Sequence, residues 1–416
     1  MRPSAGCVYM SERPGPVTAK ERYESLDVLR GVAVLGILMM NVQAFAMHPT
    51  AYQYPPAHLG LEGANGLAWL ISHVFFELKF ITIFSALFGA GVVLMTGEAR
   101  GRTPSVRLHE RRMIWLLLIG LVHAYVFWFG DVLVPYAVMG LIVVRFRHMV
   151  PARLIGWGVF WIVLSGVLMT GLFGAIALAP EGVEASEVGM ATTPEALEEW
   201  TAAYQSGFAG RLGQNAMMAL FGQLMSFTLF AGRLVGVMFL GMALFKLGFL
   251  TLRWSARGYA IGAVAGLLAG LPPVWLAGSH ALEVGFPLDE IWLHAGVNYA
   301  ASLAVAFGYA CAVMMACKAG ALAVLRAPFA AAGRMAFTNY LTQTLVMTFV
   351  MVGGIGLGLF GELERIEQVQ LVVVVWVAQL VISTLWLSVF RYGPFEWAWR
   401  SLTYGRFMGL RKPARD

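Results

Sequence analysis

The sequence of 416 residues predicts an all-α, polytopic membrane protein of about ten transmembrane helices, with both termini in the cytoplasm. The first observation is composition, because 59% of the residues are hydrophobic and only 12% are charged. That ratio is typical of integral membrane proteins and exceeds what a soluble core needs. The second observation is length: apolar stretches of about 20 residues, enough for one crossing, recur along the chain. The third is the placement of the basic residues.

The apolar stretches divide the chain into ten predicted spans, of which the third and fourth share a tight turn. The spans are 28–47, 74–96, 112–130, 132–146, 154–179, 221–248, 257–278, 295–317, 335–360 and 369–390. The predicted organisation is a cytoplasmic tail (1–25), a five-span half (26–179), an external acidic loop (180–216), a second five-span half (217–390) and a cytoplasmic interfacial tail (391–416).

The basic residues determine the predicted orientation. Of the 29 Lys and Arg residues, 25 fall on one side of a strictly alternating topology, and acidic residues concentrate in the opposite segments. By the positive-inside rule the basic side is cytoplasmic. The net charge of +6 therefore reflects orientation, and we expect no nucleic-acid partner. We expect a multi-pass protein of the inner (plasma) membrane with the lipid bilayer as partner; the oligomeric state is left open.

The first span opens with polar residues and carries a polar residue inside. In the stretch 26–41, LDVLRGVAVLGILMMN, Asp27 and Arg30 precede a continuous apolar run that ends at Asn41. Asn41 is eleven residues beyond Arg30 and therefore about 16 Å deeper at 1.5 Å per residue. Polar groups at that depth are costly, so their presence predicts a functional role.

Charged residues also occur at matched depths in the second and third spans. Lys79 and Asp131 both lie about 27–28 Å from the cytoplasmic edge, which predicts an ion pair. Two other interpretations stay open: Lys79 reaches the outer interface, or Asp131 caps a helix. His123 is near mid-membrane, level with Asn41, and Tyr136 follows on the same hairpin. His123 is either a titrating functional group or a buried histidine that is hydrogen-bonded to a neighbouring span.

The second half contains three polar or helix-breaking features. Arg233 lies at mid-membrane, where it must pair with an anion or line a wet cavity. The sequence LAGLPP (268–273) predicts that span seven kinks or ends there. Span nine opens with a polar band that either joins helices or lines a cavity. The band consists of Thr338, Asn339, Thr342, Gln343 and Thr344.

The external loops offer weaker patterns. PEALEEW (194–200) predicts a surface helix whose charges face solvent. His48 and His58 are ten residues apart in one loop, and this spacing is too weak a pattern to predict a metal site. We therefore expect no bound metal.

Five strings together resemble the YeiB-type family of bacterial inner-membrane proteins, whose C-terminal half is a domain of unknown function. They are the stretch 26–41, KFITIFSALFGAG (79–91), GLVHAYVFWFGDVLVPYAVMG (120–140), GRMAFTNYLTQTL (333–345) and GPFEWAWRSLTYG (393–405). The strings run in order over nearly the whole chain, which makes the resemblance specific. Members of that family have been loosely described as transport-related.

LDVLRG is also similar to the opening of membrane acyltransferases that acetylate cell-surface sugars, including relatives of heparan-alpha-glucosaminide N-acetyltransferase. In one branch of these enzymes the motif arginine is followed eleven residues later by a catalytic histidine. Arg30 matches the arginine, but the eleventh residue here is Asn41. An amide is no general base at neutral pH, so His123 would have to take that role.

The first functional hypothesis is therefore an acyltransferase. It would move an acyl group from a cytoplasmic donor such as acyl-CoA to an extracytoplasmic small-molecule acceptor, with no permanently bound cofactor. His123 is the expected base, Asp131 or Tyr136 its partner or an acceptor contact, and Asn41 an oxyanion donor.

The alternative hypothesis is a transporter of a small solute, anionic if Arg233 binds it. Five plus five spans would give halves of inverted topology, as in many carriers. The candidate substrate or donor contacts under the two hypotheses are Arg30, Asp27, Lys79, Arg233, Asn339 and Gln343.

Overall fold

A computed structural model of the chain describes residues 23–96, 106–180, 182–354 and 356–412, and in these ranges the regular structure is helical. One isolated antiparallel bridge joins Phe390 to Arg411. The predicted all-helical class is confirmed. Most of the predicted N-terminal tail, 1–25, lies outside the described residues.

The helices of the first half are α1 (Glu24–Ala46), α2 (Thr50–Gln53), α3 (Ala64–Phe75), α4 (Lys79–Thr96), α5 (Val106–Val122), α6 (Leu133–Val143) and α7 (Pro151–Ala177). The remaining helices are α8 (Pro194–Gln205), α9 (Leu212–Met225), α10 (Ala231–Lys246), α11 (Ala256–Val284), α12 (Ile291–Lys318), α13 (Ala323–Arg334), α14 (Ala336–Met351), α15 (Arg365–Val389) and α16 (Pro394–Tyr404).

Within the described ranges, seven stretches are long and apolar enough to cross a membrane. They correspond to α1, α3 with α4, α7, α9 with α10, α11, α12 and α15. The other three predicted spans correspond to the shorter helices α5, α6 and α14, of 17, 11 and 16 residues. A crossing count of ten therefore stays a prediction.

Helix α1 lies at the centre of the bundle. In its apolar window 78% of the residues are buried inside the protein, against 22% in the window of α7. Its contacts extend to α4, α12, α13, α14 and α15. An apolar helix that is surrounded by other helices has little sequence periodicity, because every face is covered. The motif stretch 26–41 thus forms the core around which the other helices pack.

Three helix boundaries differ from the sequence-based expectation. The second span is two helices, because the chain breaks at 76–78, where Leu78 has a φ of 64°. Helix α9 begins at Leu212, inside the segment that the sequence assigns to a loop. Helix α11 continues through Pro272 and Pro273, so span seven does not end there, and the alternative of a kink stays a prediction. Prolines are tolerated within such helices because neighbouring helices and local adjustments satisfy the freed carbonyls.

The acidic loop contains the predicted surface helix. Thr193 caps α8 by accepting a hydrogen bond from the backbone N–H of Ala196 at 3.3 Å. The glutamates of α8 face solvent, whereas Trp200 and Tyr204 are buried. The helix is therefore docked by its aromatic face, and its acidic face is solvated as predicted.

The C-terminal helix α16 is anchored by a buried carboxylate. Glu396 accepts hydrogen bonds from the backbone N–H groups of Phe337 at 2.7 Å and Thr338 at 3.0 Å, at the start of α14. Burial raises the pKa of Glu396 above its usual value. The carboxylate satisfies the free N–H groups of α14 and so fixes this helix, which carries the polar band.

Candidate functional site

The chain around His123 folds back so that two predicted site residues meet. Helix α5 ends at Val122, and His123–Phe127 form a single wider π-type turn. The chain then returns to Asp131 just before α6. The Oδ1 atom of Asp131 accepts a hydrogen bond from His123 Nδ1 at 2.7 Å. Its Oδ2 atom accepts from the backbone N–H of Val134 at 2.8 Å, so the expected helix-capping role of Asp131 is also present.

Thr344 of α14 completes a line of three side chains. Its hydroxyl lies 2.9 Å from the other ring nitrogen, His123 Nε2. All three side chains are buried. A carboxylate only accepts hydrogen bonds, so in a neutral imidazole the proton is on Nδ1. The free lone pair of Nε2 then accepts from the Thr344 hydroxyl, which is the arrangement that activates a hydroxyl as a nucleophile.

Aromatic rings enclose this line. The ring of Tyr340 lies 5.3 Å from the His123 ring, and that of Trp128 lies 6.4 Å away. Trp128 also stacks on Phe45 of α1, with centroids 4.0 Å apart. Such surroundings exclude water and strengthen each polar interaction among the three side chains. Sequence reasoning named Thr344 only as part of a polar band and did not single out Tyr340.

The predicted ion pair between Lys79 and Asp131 is wrong. Lys79 donates instead to the His73 carbonyl at 2.7 Å and to the Asn298 side chain, while Asp131 pairs with His123. The two residues were paired only because their predicted distances from the cytoplasmic edge are the same. That distance does not define on which face of its helix a side chain lies. Lys79 is fully buried, so the interpretation that it reaches the outer interface is wrong as well.

Arg233 lies close to Lys79. Its guanidinium donates to the Tyr299 carbonyl at 2.6 Å, to the Thr82 hydroxyl at 3.0 Å and to the Ser302 hydroxyl at 2.9 Å. It also packs over the Tyr299 ring at 4.5 Å. These contacts give Arg233 structural partners on α4 and α12. Nearby, His73 and Glu77 form a pair at 2.5 Å.

Four basic residues depart from the positive-inside pattern, and all four are buried. The exposed fractions are 0% for Lys79, 1% for Arg211, 5% for Arg233 and 3% for Arg365. The described hydrogen bonds of each one go to neutral oxygens, and the Arg211 guanidinium also packs over the Phe208 ring. Arg211 and Arg365 were not singled out from the sequence, although their position on the predicted external side was the available signal.

The polar band of α14 joins helices. The Asn339 side-chain amide donates to Ser383 Oγ at 3.1 Å, and that of Gln343 donates to Gln379 Oε1 at 2.9 Å. Gln343 also reaches the Val34 carbonyl of α1 at 3.3 Å. These contacts favour the interpretation that both residues join helices over direct substrate binding.

The remaining candidate residues make no described hydrogen bond to His123 or Thr344. Tyr136 shares a hydrogen bond with Ser85 at 2.6 Å, so Asp131 is the partner of His123. Asn41 is half-buried on α1, and both His123 nitrogens are already occupied by other groups. Arg30 pairs with Asp27 at 2.9 Å, with about a third of its side chain exposed.

The two loop histidines contact each other. His58 Nδ1 accepts from the backbone N–H of His48 at 2.9 Å, and His48 Nδ1 lies 2.8 Å from the Thr50 hydroxyl. Burial is the main reason that the pKa of each histidine falls to about 4. Both are therefore neutral at pH 7 and hold the loop together.

The fold and these contacts define a helical membrane protein with a buried polar centre. Residues 244–406 match a family described as "Protein of unknown function (DUF418)". The chain is 32% identical over 403 residues to the uncharacterized protein YeiB of Escherichia coli (strain K12), covering 92% of this chain and 96% of that protein. It is 31% identical over 432 residues to the uncharacterized protein YxaH of Bacillus subtilis (strain 168), covering 96% and 98%. The chain belongs to the YeiB-type family.

Proposed function

We propose that this protein transfers an acyl group from a cytoplasmic donor to an extracytoplasmic acceptor, with Thr344 carrying the group between them. The observation that supports this proposal is the hydrogen-bonded line from Asp131 through His123 to the Thr344 hydroxyl. A base that is oriented by a carboxylate and placed on a hydroxyl is the arrangement of nucleophilic acyl transfer on unrelated folds.

The first half-reaction acylates Thr344. His123 Nε2 removes the hydroxyl proton while Thr344 Oγ1 attacks the carbonyl carbon of an acyl thioester. The thiolate then leaves and takes that proton from His123. In the second half-reaction His123 removes a proton from the acceptor hydroxyl or amine, whose oxygen or nitrogen attacks the acyl ester. Thr344 leaves and regains its proton from His123.

The position of Thr344 suits transfer across a membrane. It lies eight residues into α14, about 12 Å from the start of that helix, and His123 is at a similar depth after α5. A covalent carrier at mid-membrane shortens the path of the acyl group to either surface. Asn41 on α1 is the proposed donor to the oxyanion that forms at each step.

The proposed donor is acyl-CoA, bound from the basic side. Arg30 is partly exposed there, and Arg112 packs over the Trp399 ring at 4.1 Å. Guanidinium groups at that surface can bind the phosphates of such a donor. We place this basic side in the cytoplasm of a bacterial cell, which makes the protein a multi-pass component of the inner membrane.

The orientation is tested by cysteine labelling. In a variant that lacks the three native cysteines, Ser186→Cys should react with an impermeant maleimide on intact cells, because the acidic loop is external. Arg406→Cys should react only after the membrane is opened. Labelling in the reverse order would place the donor surface outside and contradict the direction of transfer.

The acyl carrier is tested by trapping. Purified protein incubated with radiolabelled acetyl-CoA and then denatured should retain label in an ester that alkaline hydroxylamine cleaves. Thr344→Val should lose at least nine-tenths of this label, whereas Thr344→Ser should keep it, because serine supplies the same hydroxyl.

Thr348→Val is the matched control, since Thr348 lies one turn further along α14 and makes no contact with His123 among the described hydrogen bonds. It should be labelled like the wild type. Label on Thr344→Val at the wild-type level, or acetyl transfer with no labelled protein, would contradict the carrier role.

Transport of a small anionic solute is the second candidate function. It is favoured by the two buried cations Lys79 and Arg233, whose hydrogen bonds go to neutral oxygens and which share the carboxylate of Glu77 as a charge partner. In proteoliposomes a transporter would accumulate solute, depend on Arg233 and show no ester at Thr344. The trapping experiment therefore separates the two functions.

A further inference from the structure

The break between α3 and α4 carries ionisable side chains that the proposed acyl transfer does not use. His73 is in the last turn of α3, Glu77 is in the break, and Lys79 begins α4. His73 Nδ1 lies 2.5 Å from Glu77 Oε2, and Lys79 donates to the His73 carbonyl at 2.7 Å. Interrupted membrane helices with buried ionisable groups are typical of sites that bind a coupling ion. We call this group, together with Arg233 of α10 and His294 of α12, the His73 cluster.

His73 has one ring nitrogen that is buried and unused. The Glu77 carboxylate only accepts hydrogen bonds, so in a neutral imidazole Nδ1 carries the proton and Nε2 carries a lone pair. The residue is 2% exposed, and Nε2 has no hydrogen-bond partner among the described residues. It faces α11 at a glycine, because a Cβ on Gly278 would lie 3.7 Å from it. A buried acceptor without a donor is costly, and a proton is a ligand that fits there without a cavity.

Charges of both signs surround His73. The carboxylate of Glu77 contacts the ring and favours a proton on it, whereas the cations Lys79 and Arg233 disfavour one. Glu77 is shared, since it also acts electrostatically on both cations and on Tyr52 of α2. These opposing charges allow His73 to gain and to lose a proton, because neither the neutral nor the charged ring is held by partners of one sign.

His294 forms a route from His73 to the surface. Its ring is 5.9 Å from the His73 ring, and it also lines a small cavity together with His280 of α11 and Glu290. The cavity has room for about one water molecule. His280 Nε2 lies 2.7 Å from Glu290 Oε2, and each of these two side chains is 44% exposed. Both lie on the face that we predict to be extracytoplasmic. Ionisable groups thus continue from that face to the buried ring.

We propose that the His73–Glu77 pair binds a proton that arrives from the extracytoplasmic side through His294. A water in the cavity gives a proton to one nitrogen of His294, which releases the proton of its other nitrogen to His73 Nε2. The water regains its proton from His280 at the surface. The proton is then held on His73 beside the Glu77 carboxylate. The inference goes beyond the proposed acyl transfer, and its test needs no acyl donor.

Trp69 is a built-in reporter of this proton. Its indole ring stacks on the His73 ring, with centroids 4.9 Å apart and an interplanar angle of 15°. A protonated imidazole in contact with an indole ring quenches the fluorescence of the indole. Purified protein in a neutral detergent is therefore titrated from about pH 8 to about pH 5. We expect a reversible loss of tryptophan fluorescence that follows a single-proton curve.

His73→Gln and Trp69→Phe should each remove most of this change. His48→Gln is the matched control, because His48 packs against Trp200 with centroids 4.8 Å apart and its pKa of about 4 lies below the titrated range. It should respond like the wild type. If His73→Gln does not fold, as judged by gel filtration, then Trp69→Phe decides the result. A wild-type protein without a reversible change overturns the proposal, as does a change that survives in folded His73→Gln or in Trp69→Phe.

The side of entry is measured in proteoliposomes. A laser pulse releases protons from an impermeant caged acid in the outside medium only. The fast loss of fluorescence should come from molecules whose acidic loop faces outward, and their fraction is counted by maleimide labelling of Ser186→Cys. Across preparations that differ in this fraction, the fast amplitude should rise with it. An amplitude that falls as the fraction rises overturns entry from the extracytoplasmic side.

The route is tested by the rate of the same response. His294→Phe should slow the fast phase at least tenfold and keep the equilibrium change, since phenylalanine preserves the ring contacts with Trp69 and Phe286. Glu290→Gln should slow it several-fold. Glu283→Gln is the matched control, because Glu283 is exposed near the end of α11 and does not line the cavity. A rate in His294→Phe equal to that of the wild type overturns the route.

Discussion

Asp131→Asn is expected to reduce the proposed acyl transfer by about 10³–10⁴-fold while leaving the helical fold intact. The reason lies in the second oxygen of the carboxylate. Asp131 Oδ2 accepts a hydrogen bond from the Val134 backbone N–H at 2.8 Å, so an asparagine must direct its carbonyl oxygen there. Its NH₂ group then faces His123 Nδ1, which sits 2.7 Å from Oδ1 in the present structure.

An NH₂ group at that position reverses the tautomer of the imidazole. Nδ1 becomes the acceptor, and the ring proton moves to Nε2, which can then only donate to Thr344. A base that already carries its proton cannot remove another one, so kcat should fall while the KM for the acyl donor stays near its wild-type value.

The measurement is steady-state transfer of labelled acetyl groups to an added acceptor, with a melting curve to verify folding. Asp289→Asn makes the same chemical change on an exposed turn and serves as the control. If Asp131→Asn keeps wild-type turnover, Asp131 has only a helix-capping role and His123 is not the base. In Asp131→Asn the labelled ester at Thr344 should be lost together with the transfer activity.

Gly31→Ala is expected to destabilise the protein by about 3 kcal/mol and to lower the yield of folded material. A Cβ atom at Gly31 would lie 1.9 Å from the Phe329 carbonyl oxygen of α13. The contact is reciprocal, because a Cβ at Gly333 would lie 1.8 Å from the Asp27 carbonyl oxygen of α1. Both obstacles are backbone atoms, so relief requires α1 and α13 to move apart at the centre of the bundle.

Gly91→Ala is the control for this substitution. Gly91 lies within α4, and a Cβ there has no neighbour within 4 Å. Alanine favours a helix over glycine by about 1 kcal/mol, so Gly91→Ala should be neutral or slightly stabilising. Thermal unfolding in detergent compares the two variants. Equal melting temperatures would mean that α1 and α13 are not in backbone contact.

The contact between α1 and α13 involves two of the strings that resemble the YeiB-type family. Gly31 ends LDVLRG and Gly333 begins GRMAFTNYLTQTL, and the two glycines meet where α1 crosses α13. The glycine of the first string is therefore a packing residue.

Several features of the fold and of the candidate site could be predicted from the sequence. The helical membrane class followed from composition and span length, because lipid requires every backbone group to be paired within the helix. His123 and Asp131 were identified because polar residues inside apolar spans are rare, and they do form a pair. The cap from Asp131 to α6 was also anticipated.

The hydrogen-bond partners of these residues could not all be predicted from the sequence. The sequence defines how deep a residue lies along its helix, but it does not define how the helix is rotated or which helices surround it. Lys79 and Asp131 share a height but point to different helices. Pro272 and Pro273 stay inside α11 because α12 packs closely along it: a Cβ on the nearby Gly270 would lie 2.8 Å from the Ala301 carbonyl. Such support comes from residues distant in sequence.

The amino-acid sequence by itself determined that this protein is helical, embedded in a membrane, and polar at a few deep positions. These properties depend on the local free energy of transferring each segment into lipid. Only the tertiary structure decided that Thr344, 221 residues beyond His123, places its hydroxyl on the free ring nitrogen. It also decided that His294 of α12 packs beside His73 of α3. Contacts of that kind depend on how the helices rotate and cross, which the packing of the whole bundle sets.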